Sequence, residues 1–301
     1  MNYINKQKQY VIPAKAGIQS WGFVIAIAIM TLSAPVFAQD LSNILGSALG
    51  GVGMLANAAK DITPSEEHYI GRSVAAMVIN KYPLLNDPAL TKYVNEVGIL
   101  LSEVSDMPST YDGYHFAVLN SDEPNAFACP GGIILINKGL IKQAANEDQL
   151  AAILAHEVAH VAGRHGINAI KKSRWTQFAF YAAGEVGKNY SSDEISQLTS
   201  AFQDVVKDVA KKVIDSGYSK ADEAKADSNG LSYMYNAGYN PNEMVAFLMA
   251  EETAGIGHAK GPFSSHPKPA DRIKAAEGKI KGMGARETAA VRTARFKAAA
   301  K

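Results

Sequence analysis

Cysteine is nearly absent from the sequence, since Cys129 is the only one among 301 residues. No disulfide can therefore form within the chain, and the fold must depend on its apolar core, for which 47% hydrophobic residues supply ample material. An excess of either charge is also missing, because 30 basic residues face 29 acidic ones. This balance gives no charge signature for nucleic acid, so we expect no nucleic-acid partner.

A hydrophobic run long enough to span a bilayer is missing from the N-terminal region. The apolar run at residues 21–32 covers twelve residues, short of the ~20 that a membrane-spanning helix needs. It follows three lysines and no acid, and it precedes Ser-Ala-Pro-Val-Phe-Ala, which ends at Ala38. These features predict a secretory signal peptide at residues 1–38. An uncleaved anchor is the alternative, but the short run and Pro35 favour cleavage after Ala38.

The predicted signal peptide indicates export to the periplasm. No cysteine stands at the cleavage site, which argues against a lipid anchor there. After cleavage we expect no integral membrane span, with peripheral membrane association as an open alternative. Residues 39–64 are rich in glycine, alanine and leucine, and we interpret them as a flexible lead-in.

The most informative stretch, residues 146–166, contains the pattern His156-Glu157-x-x-His160. On an α-helix, residues four apart lie on one face, so both histidines can offer an imidazole nitrogen to one ion. Glu157 lies beside them as a base for a water molecule. The pattern is typical of a catalytic Zn²⁺ site, and we expect one Zn²⁺ per chain.

Chance occurrence of the pattern is the alternative, and the flanking residues argue against it. Asn146 is a good N-cap, Gln149 stands at the third helical position, and Glu147 and Asp148 place negative charge in the first turn. The remaining positions to residue 162 are apolar almost all round, which predicts a buried helix. Two histidines and a glutamate inside a buried helix are costly unless a metal satisfies them.

A small sheet is predicted directly before this helix, and helices elsewhere. Short apolar runs with a period of two indicate strands at residues 115–120, 125–129 and 133–137. Helical periodicity and caps indicate helices beginning at Pro64 and Asp87, at residues 167–188 and 193–215, and after Ser219, Pro241 and Pro269. Residues 255–265 form a glycine-rich loop. Residues 281–301 are basic and rich in alanine, and we expect a solvated or frayed tail.

The helix that begins after Ser219 carries Glu223 and Asp227 four residues apart, so one of its faces presents two carboxylates. Taken alone, this pattern is more typical of a solvated face than of a site.

Four motifs in order give the chain a family resemblance. They are Asn-Ala-Phe-Ala-Cys-Pro-Gly-Gly from Asn125, His-Glu-Val-Ala-His, Glu223-Ala-Lys-Ala-Asp227, and Ser-His-Pro followed by Asp-Arg-Ile. Residues 65–280 resemble the gluzincin metallopeptidase family that includes the membrane protease HtpX, the prenyl-protein endopeptidases and the Oma-type proteases, and they are most similar to its soluble periplasmic branch. The resemblance implies a predominantly helical α+β gluzincin fold, with a small sheet beside the HExxH helix.

The resemblance also implies roles for individual residues. It makes Glu223 the third zinc ligand and Asp227 the carboxylate that orients a ligand histidine, in agreement with the His₂Glu sets of catalytic zinc sites. It places His266 and Arg272 over the cleft as candidates to stabilise the oxyanion. His266 could instead cap the metal in a latent enzyme or be a structural turn residue.

Two further assignments concern substrate binding and a rival ligand. Residues Asn125, Ala126, Phe127 and Ala128 are implied to offer backbone hydrogen bonds to a substrate, although a plain edge strand is equally compatible. His165 is excluded as the third ligand, because the metzincin pattern requires a histidine at position 166, where glycine stands.

The sequence thus predicts a periplasmic zinc endopeptidase with Glu157 as general base. Its expected substrates are unfolded or misassembled envelope proteins, and the outer-membrane assembly machinery is a candidate partner. The alternative is a chaperone-like binding module for unfolded outer-membrane precursors with a structural zinc. Glu157 argues against this alternative, because a structural zinc site is usually closed by four protein ligands and needs no base.

Overall fold

The computed structural model of the chain describes residues 61–170, 174, 192–253 and 269–300. The predicted signal peptide at residues 1–38, nearly all of the lead-in at residues 39–64, the glycine-rich loop at residues 255–265 and His266 lie outside the described residues. Most of the helix predicted at residues 167–188 lies outside them as well.

Three strands form one sheet, close to the predicted positions. They are β1 (His115–Leu119), β2 (Ala126–Cys129) and β3 (Ile133–Asn137), in the order β1-β3-β2. β1 runs parallel to β3, whereas β2 runs antiparallel to it after a tight turn at Pro130–Gly132. β2 is therefore an edge strand of the sheet.

The sheet is covered by helices on both faces, which explains why its strands are continuous apolar runs rather than alternating ones. One face packs in a core with α2 (Pro88–Glu103) and α4 (Glu147–Ala162), and the other with α1 (Pro64–Lys81) and α6 (Ser192–Ala210). Alternate side chains of each strand pack into the two cores, because successive side chains of a strand point to opposite faces of the sheet. The first face comprises Phe116, Val118, Ala126, Ala128, Ile134 and Ile136, and the second Ala117, Leu119, Phe127, Cys129, Ile133 and Leu135.

The helices begin where their caps predict. Thr63 caps α1 in a capping box with Glu66, Asp87 caps α2, and Ser219 accepts a hydrogen bond from the backbone of Asp222 at the start of α7. The remaining elements are α3 (Lys138–Ile141), α5 (His165–Asn168), a π-helical turn (Lys211–Ser216), α7 (Lys220–Asn236), α8 (Asn242–Thr253), α9 (Pro269–Ile280) and α10 (Ala290–Ala299).

Helix α4 lies at the centre of the fold and packs closely against α7. Gly230 of α7 permits this approach, because a Cβ atom at that position would lie only 3.2 Å from the backbone nitrogen of His156 and 3.3 Å from the carbonyl carbon of Ala155. The contact brings the acidic face of α7 onto the middle of α4.

The C-terminal segment corrects the expectation of a solvated or frayed tail. Residues 290–299 form helix α10, in which Phe296 is buried and two arginines bind the first turn of α4. Arg292 donates to Asp148 at 2.8 and 2.9 Å, and Arg295 donates to Glu147, including a contact of 2.6 Å from Nε. Both carboxylates are fully buried, so the basic residues of this segment neutralise charge inside the protein.

The predominantly helical α+β fold with a small sheet beside the metal-motif helix is confirmed. Within the described ranges, no helix is both long and apolar enough to cross a membrane.

Candidate metal centre

Two histidines of α4 and one glutamate of α7 converge at the crossing of these helices. The Nε2 atoms of His156 and His160 lie 3.0 Å apart, and the Glu223 carboxylate lies 3.4 Å from the first and 3.5 Å from the second. All three side chains are buried. The structure therefore brings together the three residues expected to hold the metal, and it excludes a solvated acidic face on α7.

The donor set fits zinc in kind and in spacing. A tetrahedral Zn²⁺ with bonds of about 2.0–2.2 Å holds its ligand atoms about 3.3–3.6 Å apart. The observed separations of 3.0–3.5 Å are close to this value. Two imidazoles and one carboxylate form a standard catalytic set that leaves a position open for water or substrate.

Asp227 forms a hydrogen bond with His156 through the ring nitrogen that faces away from the metal centre. Its Oδ1 lies 2.9 Å from Nδ1 of His156, so Nε2 of that ring faces the centre. Arg272 of α9 donates to the same carboxylate through Nε and Nη2 at 2.8 and 2.7 Å. Burial disfavours the charged carboxylate, but the Arg272 guanidinium and His156 outweigh burial and hold the pKa of Asp227 well below its usual range.

The charge of the pocket favours a cation. Burial disfavours a charged imidazole, yet the hydrogen bonds with Asp227 and Glu223 outweigh it and raise the pKa of His156 to about 10. Two buried carboxylates next to one ring therefore create a site in which positive charge is stabilised.

The second histidine has neighbours that sequence reasoning missed. Nδ1 of His165 lies 2.8 Å from Nδ1 of His160, and the ring of Tyr218 stacks on His160 with centroids 4.2 Å apart and planes inclined by 22°. The Tyr218 hydroxyl donates to the carbonyl of Ala128 at 3.2 Å. The proximity of His165 to the motif could have indicated its place, whereas nothing in the sequence pattern marks Tyr218.

A cleft with about 450 Å³ of empty space, a figure that includes its open mouth, adjoins the centre. Its polar wall consists of His156, Glu157, Glu251 and Arg272, and its apolar wall of Ala126, Leu140, Ala152, Ile153, Met244, Phe247 and Leu248. Glu157 thus lines the same cleft as the expected ligand His156. Its place agrees with the expected base, and its catalytic role stays a prediction.

The edge strand β2 borders the same cavity through Ala126. The backbone nitrogen of Asn137 donates to the carbonyl of Asn125 at 2.9 Å, so in this antiparallel ladder the alternate residues Ala126 and Ala128 direct their backbone groups away from β3. The Asn125 side chain accepts from the nitrogen of Ala126, and Phe127 stacks on Tyr82 in the opposite core. Substrate binding by residues 125–128 remains a prediction.

Of the two residues proposed to stabilise the oxyanion, the structure describes only Arg272. His266 lies outside the described residues, so its place is not defined. Arg272 lines the cavity while two of its nitrogens bind Asp227. Its contribution to the oxyanion stays a prediction.

Comparisons with known proteins agree with this geometry. Residues 88–280 match the profile of peptidase family M48. The beta-barrel assembly-enhancing protease of Escherichia coli (strain K12) is 27% identical over 265 residues, which cover 85% of this chain and 51% of that protein. The mitochondrial metalloendopeptidase OMA1 of Schizosaccharomyces pombe (strain 972 / ATCC 24843) is 30% identical over 190 residues, 62% of this chain and 52% of that protein. The metalloprotease YcaL of Escherichia coli (strain K12) is 25% identical over 160 residues, 53% of this chain and 59% of that protein. The chain thus spans about half the length of the curated relatives it matches.

Proposed function

Because the chain belongs to peptidase family M48, we propose that it is a zinc-dependent endopeptidase whose site is formed by His156, Glu157, His160 and Glu223. The single observation that carries this proposal is the convergence of two Nε2 atoms and one carboxylate, 3.0–3.5 Å apart, beside a cavity lined by Glu157. A structural site would be closed by a fourth protein ligand, and within the described residues the cluster contains three.

The residues of the chain divide the chemistry between them. His156, His160 and Glu223 would hold Zn²⁺, which would supply Lewis-acid polarisation of the scissile carbonyl and would lower the pKa of a water molecule towards neutrality. Glu157 takes a proton from the attacking water and gives it to the leaving amine. Asp227 keeps His156 in the tautomer that offers Nε2 to the metal. Arg272 holds Asp227 charged, and His266 and Arg272 remain the candidates for the oxyanion.

The cavity and the edge of β2 together suit an extended polypeptide. Two outward backbone groups of β2, the carbonyl of Ala126 and the nitrogen of Ala128, can pair with a substrate strand, while the apolar wall of the cavity receives one of its side chains. Folded proteins rarely expose extended backbone next to apolar side chains, but unfolded ones do. This supports unfolded or misassembled proteins as the substrates.

We place this activity in the periplasm, on the basis of the predicted signal peptide at residues 1–38. The name of one relative, beta-barrel assembly-enhancing protease, links that protein with β-barrel assembly. By extension, the proposed substrates of this chain are envelope proteins that fail to fold or assemble, and the outer-membrane assembly machinery is the proposed partner.

Digestion of an unfolded protein tests the proposal. The purified chain from residue 39 is incubated with reduced casein, with and without a zinc chelator, and zinc is then restored. We expect cleavage that the chelator abolishes and zinc restores, and a lower melting temperature of the metal-free protein, because the ion ties together two segments distant in the sequence. Casein that stays bound and intact in the presence of zinc would instead identify a binding module.

A further inference from the structure

The turn that follows the metal-motif helix has an unusual backbone. Arg164 has φ 52° and ψ 32°, and it is the one residue other than glycine with a positive φ among those the structure describes. This left-handed conformation is disfavoured for a residue with a Cβ atom, because the Cβ atom crowds the following carbonyl oxygen. A residue held there indicates that the surrounding structure needs the turn.

Two hydrogen bonds hold Arg164 in this conformation. Its Nε donates to Glu67 of α1 at 2.8 Å, and its Nη2 donates to the carbonyl of Ile62 at 2.8 Å. Glu67 is buried and also accepts from the backbone nitrogen of Gly131, which follows β2. The turn is therefore fixed to the first helix and to the sheet.

The consequence of the turn is the position of His165. Its ring folds back over the end of α4 and fills the space that a side chain at Gly163 would occupy. A Cβ atom at Gly163 would lie 2.9 Å from Cδ2 of the His165 ring and nearer still to Nε2. The Gly-Arg-His sequence thus places the imidazole of His165 against Nδ1 of His160.

Metal binding by His160 would determine the tautomers of both His160 and His165. When His160 offers Nε2 to a metal, its proton is on Nδ1, and the acceptor within reach is Nδ1 of His165 at 2.8 Å. His165 then carries its own proton on Nε2, which faces Asp222 at 3.8 Å. Metal-ligating histidines commonly donate their second nitrogen to such a partner, which fixes the ring and its tautomer.

We propose that His165 is a positioning residue that fixes the ligand His160, and that Arg164 and Glu67 direct it there. The two ligand histidines are therefore oriented by different groups, His156 by the carboxylate of Asp227 and His160 by a neutral imidazole. This inference rests on the proposed zinc site and adds to it a second orienting residue outside the HExxH pattern.

Zinc affinity tests the inference without reference to peptide cleavage. Competition with a chromophoric chelator gives the zinc dissociation constant of the wild-type protein and of His165→Leu and His165→Asn. Leucine fills space but accepts no hydrogen bond, so we expect binding about 10–100-fold weaker. Asparagine offers an oxygen near the position of Nδ1, and we expect affinity within roughly threefold of wild type.

Two glycine substitutions, Gly163→Ala and a control, test the same inference with His165 left unchanged. Gly163→Ala pushes the ring away from His160, and we expect at least about tenfold weaker zinc binding. Gly282→Ala is the matched control, because a Cβ atom at this second helix end meets only the carbonyl oxygen of Lys279 at an ordinary 3.6 Å. We expect wild-type affinity in the control.

The outcomes separate this inference from the proposed function. Circular dichroism of the metal-free variants reports folding, and if His165→Leu does not fold, the glycine pair decides. Wild-type affinity in the folded leucine variant or in Gly163→Ala, or equal losses in the leucine and asparagine variants, would overturn the positioning role. A wild-type protein that binds no zinc would instead overturn the proposed function.

Discussion

The Oδ1 atom of Asp227 lies 2.9 Å from Nδ1 of His156, on the side of the ring opposite to the metal centre. Both residues are buried, so water cannot replace this hydrogen bond. The carboxylate holds the imidazole proton on Nδ1 and leaves Nε2 as the atom that can bind a metal. The strength of metal binding should therefore depend on a residue that does not itself touch the ion.

Asp227→Asn tests this dependence. The amide has nearly the shape of the carboxylate but lacks the charge that binds His156 and balances Arg272. We expect zinc affinity to fall about 10–100-fold, measured by chelator competition. Asp271→Asn, which removes an exposed carboxylate next to Arg272, is the control and should leave affinity unchanged. Equal affinities for wild type and Asp227→Asn would show that His156 needs no orienting partner.

Arg272→Lys distinguishes positioning from oxyanion stabilisation. The guanidinium binds both oxygens of Asp227, at 2.7 and 2.8 Å, a geometry that an ammonium group cannot reproduce. We expect zinc affinity and kcat to fall together in this variant. A residue that acts on the oxyanion alone would lower kcat by about 10²–10³-fold with zinc affinity unaltered, and that result would assign the second role.

Gly230→Ala tests the crossing of α4 and α7. The added Cβ atom would lie 3.2–3.3 Å from backbone atoms of His156 and Ala155, which cannot move without displacing the metal helix. We expect the free energy of unfolding, measured in urea, to fall by about 1–3 kcal/mol. Gly278→Ala is the control, since a Cβ atom there meets nothing within 4 Å, and it should leave stability unchanged or raise it by about 0.5–1 kcal/mol. Equal stabilities of the two variants would mean that the crossing tolerates a wider separation.

Arg295→Ala tests the clamp of α10 on the first turn of α4. Burial raises the pKa of Glu147, but hydrogen bonds with Arg295, Tyr93 and Tyr239 outweigh it and hold the pKa below its ordinary value of 4.5. Because Arg295 is half-exposed, solvent screens part of the interaction, and we expect a loss of about 1–3 kcal/mol at pH 7.

The pH dependence of that loss has a definite sign. A carboxylate whose pKa is lower in the folded protein stabilises the fold above its unfolded pKa, and this stabilisation disappears as the pH falls through the folded value. The difference in unfolding free energy between wild type and Arg295→Ala should therefore be full at pH 7 and shrink below about pH 4.5. Lys297→Ala, on the exposed side of α10, is the control and should have no effect at either pH. A difference that grows on acidification would contradict the pairing.

The elements around the site were predictable because their signals are local. Asn146 does cap α4, with its side chain accepting from the backbone of Gln149, and the apolar residues that follow are buried as expected. The strand bounds agreed for a similar reason, since turn residues flank short apolar runs. The role of Glu223 as a ligand was predicted only from the family resemblance. Two carboxylates four residues apart on a helix also occur on a solvated face and do not by themselves mark a ligand.

The contacts that could not be predicted from the sequence join residues that are distant in the chain. The basic residues of α10 neutralise Glu147 and Asp148 more than 140 positions away, and nothing near them marks these partners. The position of His165 depends on a left-handed turn at Arg164, which residue propensities disfavour and which Glu67 of α1 enforces. Such constraints exist only once the helices have packed.

The central claim is that zinc is held by His156, His160 and Glu223 while Glu157 transfers protons, and Glu157→Gln tests it most directly. The zinc content of the purified variant and its rate of casein cleavage are measured on the same sample. We predict one zinc per chain, as in wild type, with cleavage slowed about 10²–10⁴-fold because the amide cannot accept a proton. A variant that cleaves casein at the wild-type rate, or a wild-type protein that cleaves it without bound zinc, would contradict the account.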